Sequence, residues 1–444
     1  MSYALMPYAL VFPLFPAIIF PIPLKTEKTY RKETNMQKQY KICFQIISVM
    51  AIITASSLSV IAAEPNQTTK AEPNQINKQA LDQLLDAAQK SHTDALVVFK
   101  DGKQYDEWYF GKKPGKIEAM SATKSVVNLA IGCLITQGKI KSVDQPVCEF
   151  YPEWKQGRKK NITIRHLLNH TSGLQNLPRS DIEIYPSPNF VQLALTAELS
   201  DDPGTAFAYN NKAVNLLAGI VQKASGKRMD LYIKDEIFTP LGITDFSWTL
   251  DKAGNPHGMA GLQILPADFA KLGQLVLNRG KWNGKQIIAQ SWFDISMRPG
   301  QEFEPTCGLL WWLIPDHISY VIDDDQISKL TAKGVNADFI NKVKLLKGSY
   351  ENRVVLRAAV QKVFGDQWRQ ETLAVLMPLS LQFTRTEVGK NIVGYWAKGY
   401  LGQYLVIIPA KNLIIVRMIN SSDSYNEKTD GFENLDELAL KLVN

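Results

Sequence analysis

From Ala95 to Phe110, apolar and polar residues alternate on either side of Asp101-Gly102, a dipeptide that favours a tight turn, so two antiparallel strands are expected there. Beyond them Val126, Val127, Leu129, Ala130, Cys133 and Leu134 recur at helical intervals between Ser125 and Gln137, which predicts a buried helix. Helical patterns return from Ala213 to Lys223 and from Met229 to Phe238, closed by Pro240 and Gly242. Near the C-terminus two β-branched runs, Leu401 to Pro409 and Leu413 to Ile419, flank Ala410-Lys411-Asn412 as a second hairpin, and an amphipathic helix is expected from about Phe432 to Leu442. Strands from both ends of the chain thus enclose helices, which predicts an α/β (α+β) fold with an antiparallel sheet flanked by helices and an inserted all-helical subdomain over about 125–250.

One stretch interrupts this plan. Between about residues 317 and 393, helical spacing recurs at Ile327 to Lys333, Phe339 to Leu346 and Val354 to Phe364, broken by Gly334 and Gly348, which predicts an insertion of two or three short helices. Its position just before the C-terminal strands would place it near the mouth of a site built there. A lid or substrate-selecting cap is one reading; a passive packing element or dimer contact is the other.

Composition adds boundaries. The chain has 444 residues, 45% of them hydrophobic, enough for one large domain or two modest ones. Much of the net charge of +7 lies in residues 1–63; what remains is 44 basic against 41 acidic residues, interspersed, which is a solvated mixed surface and no footprint for nucleic acid. From Met36 a short basic stretch (Lys38, Lys41), an apolar run from Ile42 to Ile61 and the small pair Ala62-Ala63 follow the order of an export signal, so 36–63 reads as a signal peptide and the product as periplasmic or secreted. An uncleaved inner-membrane anchor through 42–61 is the competing reading. Residues 1–35 carry five prolines and read as an over-extended start, residues 64–80 as a polar linker, and 81–444 as the folded domain. Past the signal, Cys133 and Cys148 could bridge or remain free thiols beside Cys307. The five histidines and the cysteines have no metal-ligand spacing, so neither a metal nor another cofactor is expected.

The candidate chemistry begins at Ser121-Ala122-Thr123-Lys124, where an extended segment gives way to the first buried helix. A serine hydroxyl needs a base, and a lysine one helical turn later shares its face; the helix N-terminus and a dry pocket would activate both. Tyr209 follows Asp202-Pro203-Gly204, a turn that would display it on a loop. Beside a lysine ammonium its phenol would lose a proton more readily and could act as general base, then donate to the leaving group. Asn211 offers a donor and an acceptor to a carbonyl. The second Tyr-x-Asn, Tyr350-Glu351-Asn352, falls inside the insertion. Thr163 can cap a short helix from Ile164 that ends at Ser172-Gly173, so His166 and His170 read as scaffold, with His170 as a triad base the alternative. The Gly-x-Ser-x-Gly elbow is missing around Ser121.

In order, Ser121-x-x-Lys124, Ile162-Thr-Ile-Arg-His-Leu-Leu-Asn-His-Thr-Ser-Gly-Leu174 and Tyr209-Asn210-Asn211 resemble the serine β-lactamase-related hydrolases, the group of class C β-lactamases, penicillin-binding proteins, family VIII esterases and 6-aminohexanoate-dimer hydrolases. The likeness extends over about residues 90–440. It implies a β-lactamase/transpeptidase-like fold, catalysis by Ser121, Lys124 and Tyr209, an oxyanion hole from the backbone N–H groups of Ser121 and Gln403, and substrate contacts at Asn211 and Gly402. Where the family carries Lys-Thr-Gly, this chain has Tyr400-Leu401-Gly402, which lacks the cation and hydroxyl for a substrate carboxylate; Lys398, on the same strand face as Tyr400, could compensate in part. The resemblance therefore implies an exported hydrolase of small esters or short amides acting through an acyl-serine, ahead of a β-lactamase or D-alanyl-D-alanine carboxypeptidase acting on peptides. A penicillin-binding sensor that does not turn over is the alternative of another class.

Overall fold

The structure is a computed structural model that describes residues 75–443, apart from residues 178, 377, 378, 380, 423, 424 and 433. The expected signal or anchor, the start and most of the linker lie outside the described residues. Helix α1 (Lys78–Lys90) precedes strands β1 (Ala95–Lys100) and β2 (Lys103–Trp108), and helix α2 (Thr123–Thr136) follows them. Helix α3 (Asn211–Ser225) and helix α4 (Pro266–Leu277) come next, then strands β3 (Trp312–Pro315), β4 (Ile392–Gly399), β5 (Gln403–Ile408) and β6 (Leu413–Met418), and finally helix α5 (Leu435–Lys441). The six strands form one antiparallel sheet in the order β2-β1-β6-β5-β4-β3.

Both expected hairpins form. Asp101 and Gly102 take φ of 52° and 78°, the paired left-handed conformation that matches the twist of β1 and β2. The alternation expected along β1, however, is absent: all six of its residues are buried, and only the edge strand β2 is open to solvent. Helices on both faces are the reason. Val97, Phe99, Leu405, Ile407, Ile414 and Val416 join the core that contains α2 and α4, whereas Leu96, Val98, Val406, Ile408 and Ile415 pack with α1 and α5.

Two expected regions prove less purely helical. The stretch after α2 is helical as far as Ile233 and continues in a wider π turn to Phe238, yet Phe246–Trp248 pairs with Leu262–Ile264, which also pairs with Ile117–Glu118. Among the described residues, the insertion holds four helices (Asp324–Ala332, Ala337–Lys344, Arg353–Phe364, Trp368–Leu376) and a three-stranded sheet of Gly348–Tyr350, Ile318–Ile322 and Arg385–Val388. These strands are short and half polar, too weak a pattern to stand out beside helical spacing. Ile322, Leu330, Phe339, Val343, Val360 and Phe364 give the insertion its own core. Residues 392 and 393 belong to β4. The insertion is tied at its neck by Asp316 N–H to Asn391 O (2.9 Å) and Gly389 N–H to His317 O (2.7 Å), at the end of the β3–β4 ladder where Pro315 faces Ile392. Cys133, Cys148 and Cys307 are all free thiols.

Helix α2 is fully buried over Thr123–Leu134, and side-chain hydrogen bonds fix it to the segment before β3. Asn128 donates to Leu309 O (2.7 Å) and accepts from the indoles of Trp292 and Trp311 (both 3.1 Å), while Ser125 donates to Leu310 O (2.7 Å). Gly132 lets Trp292 approach: a Cβ there would stand 2.4 Å from the indole Cδ1. Gly132→Ala is expected to cost about 1–3 kcal/mol by overpacking and to lower the melting temperature by a few degrees, read by calorimetry; an unchanged transition would contradict this packing.

Candidate active site

Ser121 sits in a 3₁₀ turn, Met120–Ala122, that leads directly into α2. Met120 before it has φ of 48°, a left-handed conformation unusual for a residue with a Cβ. Lys124 lies one turn on, and its Nζ is 2.8 Å from Ser121 Oγ and 2.7 Å from Met259 O, to which it donates. Met259 O is fixed in turn: Asn215 Oδ1, on α3, accepts from the amides of Gly258 (2.9 Å) and Met259 (3.2 Å). The lysine is 3% exposed. With no carboxylate against it among the described residues, burial pushes its amine well below the usual lysine range, towards the neutral form.

Tyr209 reaches the same point from the loop before α3. Its ring lies 5.0 Å from Lys124 Nζ, tilts against His170 (4.5 Å between centroids) and stacks on Trp312 (6.3 Å). The backbone on either side is pinned by one residue: His170 O accepts from Ala208 N–H (2.9 Å), and His170 Nδ1 accepts from Asn210 N–H (3.2 Å). Asn176 Nδ2 also donates to Tyr209 O (3.0 Å). The phenol does not behave as the sequence suggested. Burial raises its pKa to about 12, opposed only in part by the hydrogen bond from Ser121.

Ser121, Lys124, Ser125, His170, Tyr209, Cys307, Leu310, Trp311, Trp312 and Lys398 line a narrow cleft of about 10 Å³, room for little more than one water. Among the described residues, none of 316–391 lines it. Lys398 is the one expected substrate contact on the wall; its Nζ lies 3.1 Å from the centre of the Trp396 ring and 5.8 Å from that of Trp312. Its charge, with that of Arg353, also opposes the burial that raises the Asp436 carboxyl.

The other expected contacts fall outside the wall. Asn211 donates to Ser180 Oγ (3.0 Å), and its buried amide oxygen has no hydrogen-bond partner among the described residues. Tyr400 is 67% exposed with its ring against Tyr425, because the chain turns at Tyr400–Gly402 instead of extending β4 through these residues. Gln403 opens β5, and its side chain is spent on Ile419, donating to O (2.6 Å) and accepting from N–H (3.1 Å). What touches the serine turn is the end of β4: a Cβ on Gly399 would stand 2.4 Å from Ala119 O.

His166 does what the sequence suggests, closing a capping box with Thr163. His170 does more, since its buried ring is part of the cavity wall. Sequence reasoning missed Trp312, Cys307 and the Met259 carbonyl; the Trp311-Trp312 pair was the only visible signal, and such pairs are usually core.

The chain matches the Beta-lactamase family over residues 79–440. It belongs to that family. Its relatives include the 6-aminohexanoate-dimer hydrolase of Paenarthrobacter ureafaciens, 24% identical over 50% of this chain and 61% of that protein, and Protein flp of Staphylococcus aureus (strain MRSA252), 25% identical over 42% and 41%. The chain spans about half the length of the curated relatives it matches. Among solved structures, the octameric penicillin-binding protein homologue from Pyrococcus abyssi superposes with a TM-score of 0.53 and 18% identity, covering 82% of this chain and 76% of that one, which establishes likeness of fold.

His170 supplies a pH signature of this Beta-lactamase family site. Burial and the neighbouring lysine depress its pKa from 6.5 to about 3, so between those values the unfolded chain binds the extra proton and stability falls as pH falls. The contribution is complete above pH 6.5, and up to about 5 kcal/mol of it is lost by the time pH reaches 3. His170→Gln, which keeps an acceptor for Asn210, is expected to flatten the decline of melting temperature from pH 6.5 to 4; an unaltered slope would contradict a neutral buried ring.

Proposed function

We propose that the protein is an exported serine hydrolase that cleaves small esters or short amides through an acyl-Ser121 intermediate. The observation that carries this reading is the dry lysine amine 2.8 Å from Ser121 Oγ, with a protonated phenol closing the other side. Lys124, neutral, takes the Ser121 proton as the oxygen attacks the carbonyl. Tyr209, protonated, relays a proton to the leaving group, and Lys124 returns its own as the tetrahedral state collapses. The oxyanion accepts from Ser121 N–H and from the Gly399–Gln403 hairpin, for which Gln403 N–H is our candidate; such a donor contributes about 3–4 kcal/mol. Water then repeats the sequence on the acyl-enzyme.

Substrate class follows from what surrounds the serine. Neither Tyr400 nor Leu401 offers a cation or an aliphatic hydroxyl for the carboxylate of a penicillin-type substrate, and Lys398 is engaged with two indoles. The aromatic lining of Tyr209, Trp311 and Trp312 is in keeping with a small, uncharged acyl group. The printed name of the 6-aminohexanoate-dimer relative is in keeping with a short amide. Export rests on the order of residues 36–63 alone, with a tether through 42–61 as its variant.

Intact-mass measurement with a fluorophosphonate, a β-lactam and p-nitrophenyl acetate in parallel tests the reading. Wild type is expected to take one phosphonyl group and to turn the ester over repeatedly. Ser121→Ala should do neither, losing at least about 1,000-fold in turnover. Lys124→Met should lose a comparable factor. For wild type kcat/KM should rise with pH as the amine loses its proton, and it should not fall before the phenol ionises near 12. A single stoichiometric burst without turnover would replace the hydrolase with a penicillin-binding sensor.

A further inference from the structure

Arg417 is the penultimate residue of β6, fully buried, and no carboxylate oxygen accepts from its guanidinium among the described residues. All its hydrogen bonds go to neutral oxygens. Nε donates to Thr93 Oγ1 (2.9 Å), Nη2 to Ser91 O (2.8 Å) and Asp430 O (2.7 Å), and Nη1 to Leu401 O (2.7 Å) and Gly402 O (3.0 Å). Burying a cation this way is costly, and hydrophobic packing would hold a strand as well. Burial accordingly lowers even this guanidinium, to about 10.

The two Nη1 bonds end on a strained turn. Leu401 and Gly402 both have left-handed backbone, φ of 67° and 83°, an arrangement that a β-branched or bulky residue at 401 resists unless its surroundings impose it. The turn joins β4 to β5, and Gly399, one residue before it, lies against the carbonyl of Ala119 in the segment that presents Ser121. Gln403, one residue after it, is held separately to Ile419. Gly402 has no room for a side chain: a Cβ would stand 2.5 Å from Arg417 Nη1 and 2.8 Å from Gly431 O.

We propose that Arg417 is a positioning residue for catalysis: its guanidinium fixes the Leu401–Gly402 turn so that the β4–β5 hairpin presents a rigid, polarised amide to the oxyanion formed at Ser121. The carbonyl of Gly402 and the N–H of Gln403 belong to one peptide group, so a cation on the oxygen draws electron density from the nitrogen and strengthens that N–H as a donor. The carbonyl of Leu401 and the N–H of Gly402 are coupled in the same way. This role rests on the serine-hydrolase reading, and its test separates the two.

Arg417→Lys and Arg417→Met are compared with wild type and with Thr93→Val, which removes the Nε acceptor and a hydrogen bond to Ser91 Oγ but leaves both Nη1 bonds to the turn. On p-nitrophenyl acetate kcat is expected to fall about 10-fold or more for Arg417→Lys and about 100-fold for Arg417→Met, with KM within threefold of wild type. The rate of phosphonylation of Ser121 should fall in parallel. Thr93→Val should keep wild-type kcat. Millimolar guanidinium should restore part of the turnover of Arg417→Met, and methylammonium should not. Should Arg417→Met fail to fold, Arg417→Lys carries the same comparison. A folded Arg417 variant with kcat within threefold of wild type would overturn the positioning role while leaving Ser121 chemistry intact. Inactivity of wild type itself would remove the reading beneath it.

Discussion

Everything in this site depends on one amine being kept out of water without a counter-charge. Lys124 lies in the buried part of its helix, and among the described residues its Nζ meets the Ser121 hydroxyl, the Met259 carbonyl and the Tyr209 ring. An ion pair there would have held the proton on the amine and removed the base. The protein accepts a stability cost in exchange, since below the ordinary lysine pKa the unfolded chain binds a proton that the folded one gives up. The Met259 carbonyl sets the direction of the amine, and Asn215 sets the carbonyl.

The scaffold around that amine works through backbone geometry held by buried polar side chains. Asn128 and Ser125 fix the 309–312 segment to α2, which brings Trp312 beside Tyr209. His170 binds the peptide groups on both sides of Tyr209. Each of these groups is satisfied by a partner distant in sequence, so a single truncation would leave a buried donor or acceptor unpaired, at a cost larger than the bond it made. The sheet provides the rigid frame, because both of its faces are covered and its central strands cannot shift register without exposing one core or the other.

How much of this was legible in the sequence depended on distance along the chain. Ser121 and Lys124 are three residues apart, so helical geometry alone brings them together, and Tyr209 followed from its neighbours and the resemblance they carry. The hairpins at Asp101-Gly102 and Lys411-Asn412 were legible because turn chemistry is local. Trp312 and the Met259 carbonyl were not, since nothing nearby marks them as neighbours of Ser121. Tyr400 and Gly402 were placed on the substrate side because the family motif is a strand there, whereas this chain turns. The strands of the insertion were hidden by stronger helical spacing around them. The acidity of Tyr209 was misjudged in sign, because the burial that raises its phenol comes from contacts distant in sequence.

The decisive measurement is the titration of Lys124 itself, followed by the ¹³Cε chemical shift in lysine-labelled protein and assigned with Lys124→Met. The account predicts a lysine signal whose titration midpoint lies well below the usual 10.5. A Lys124 that stays an ammonium up to that value would contradict the account at its base.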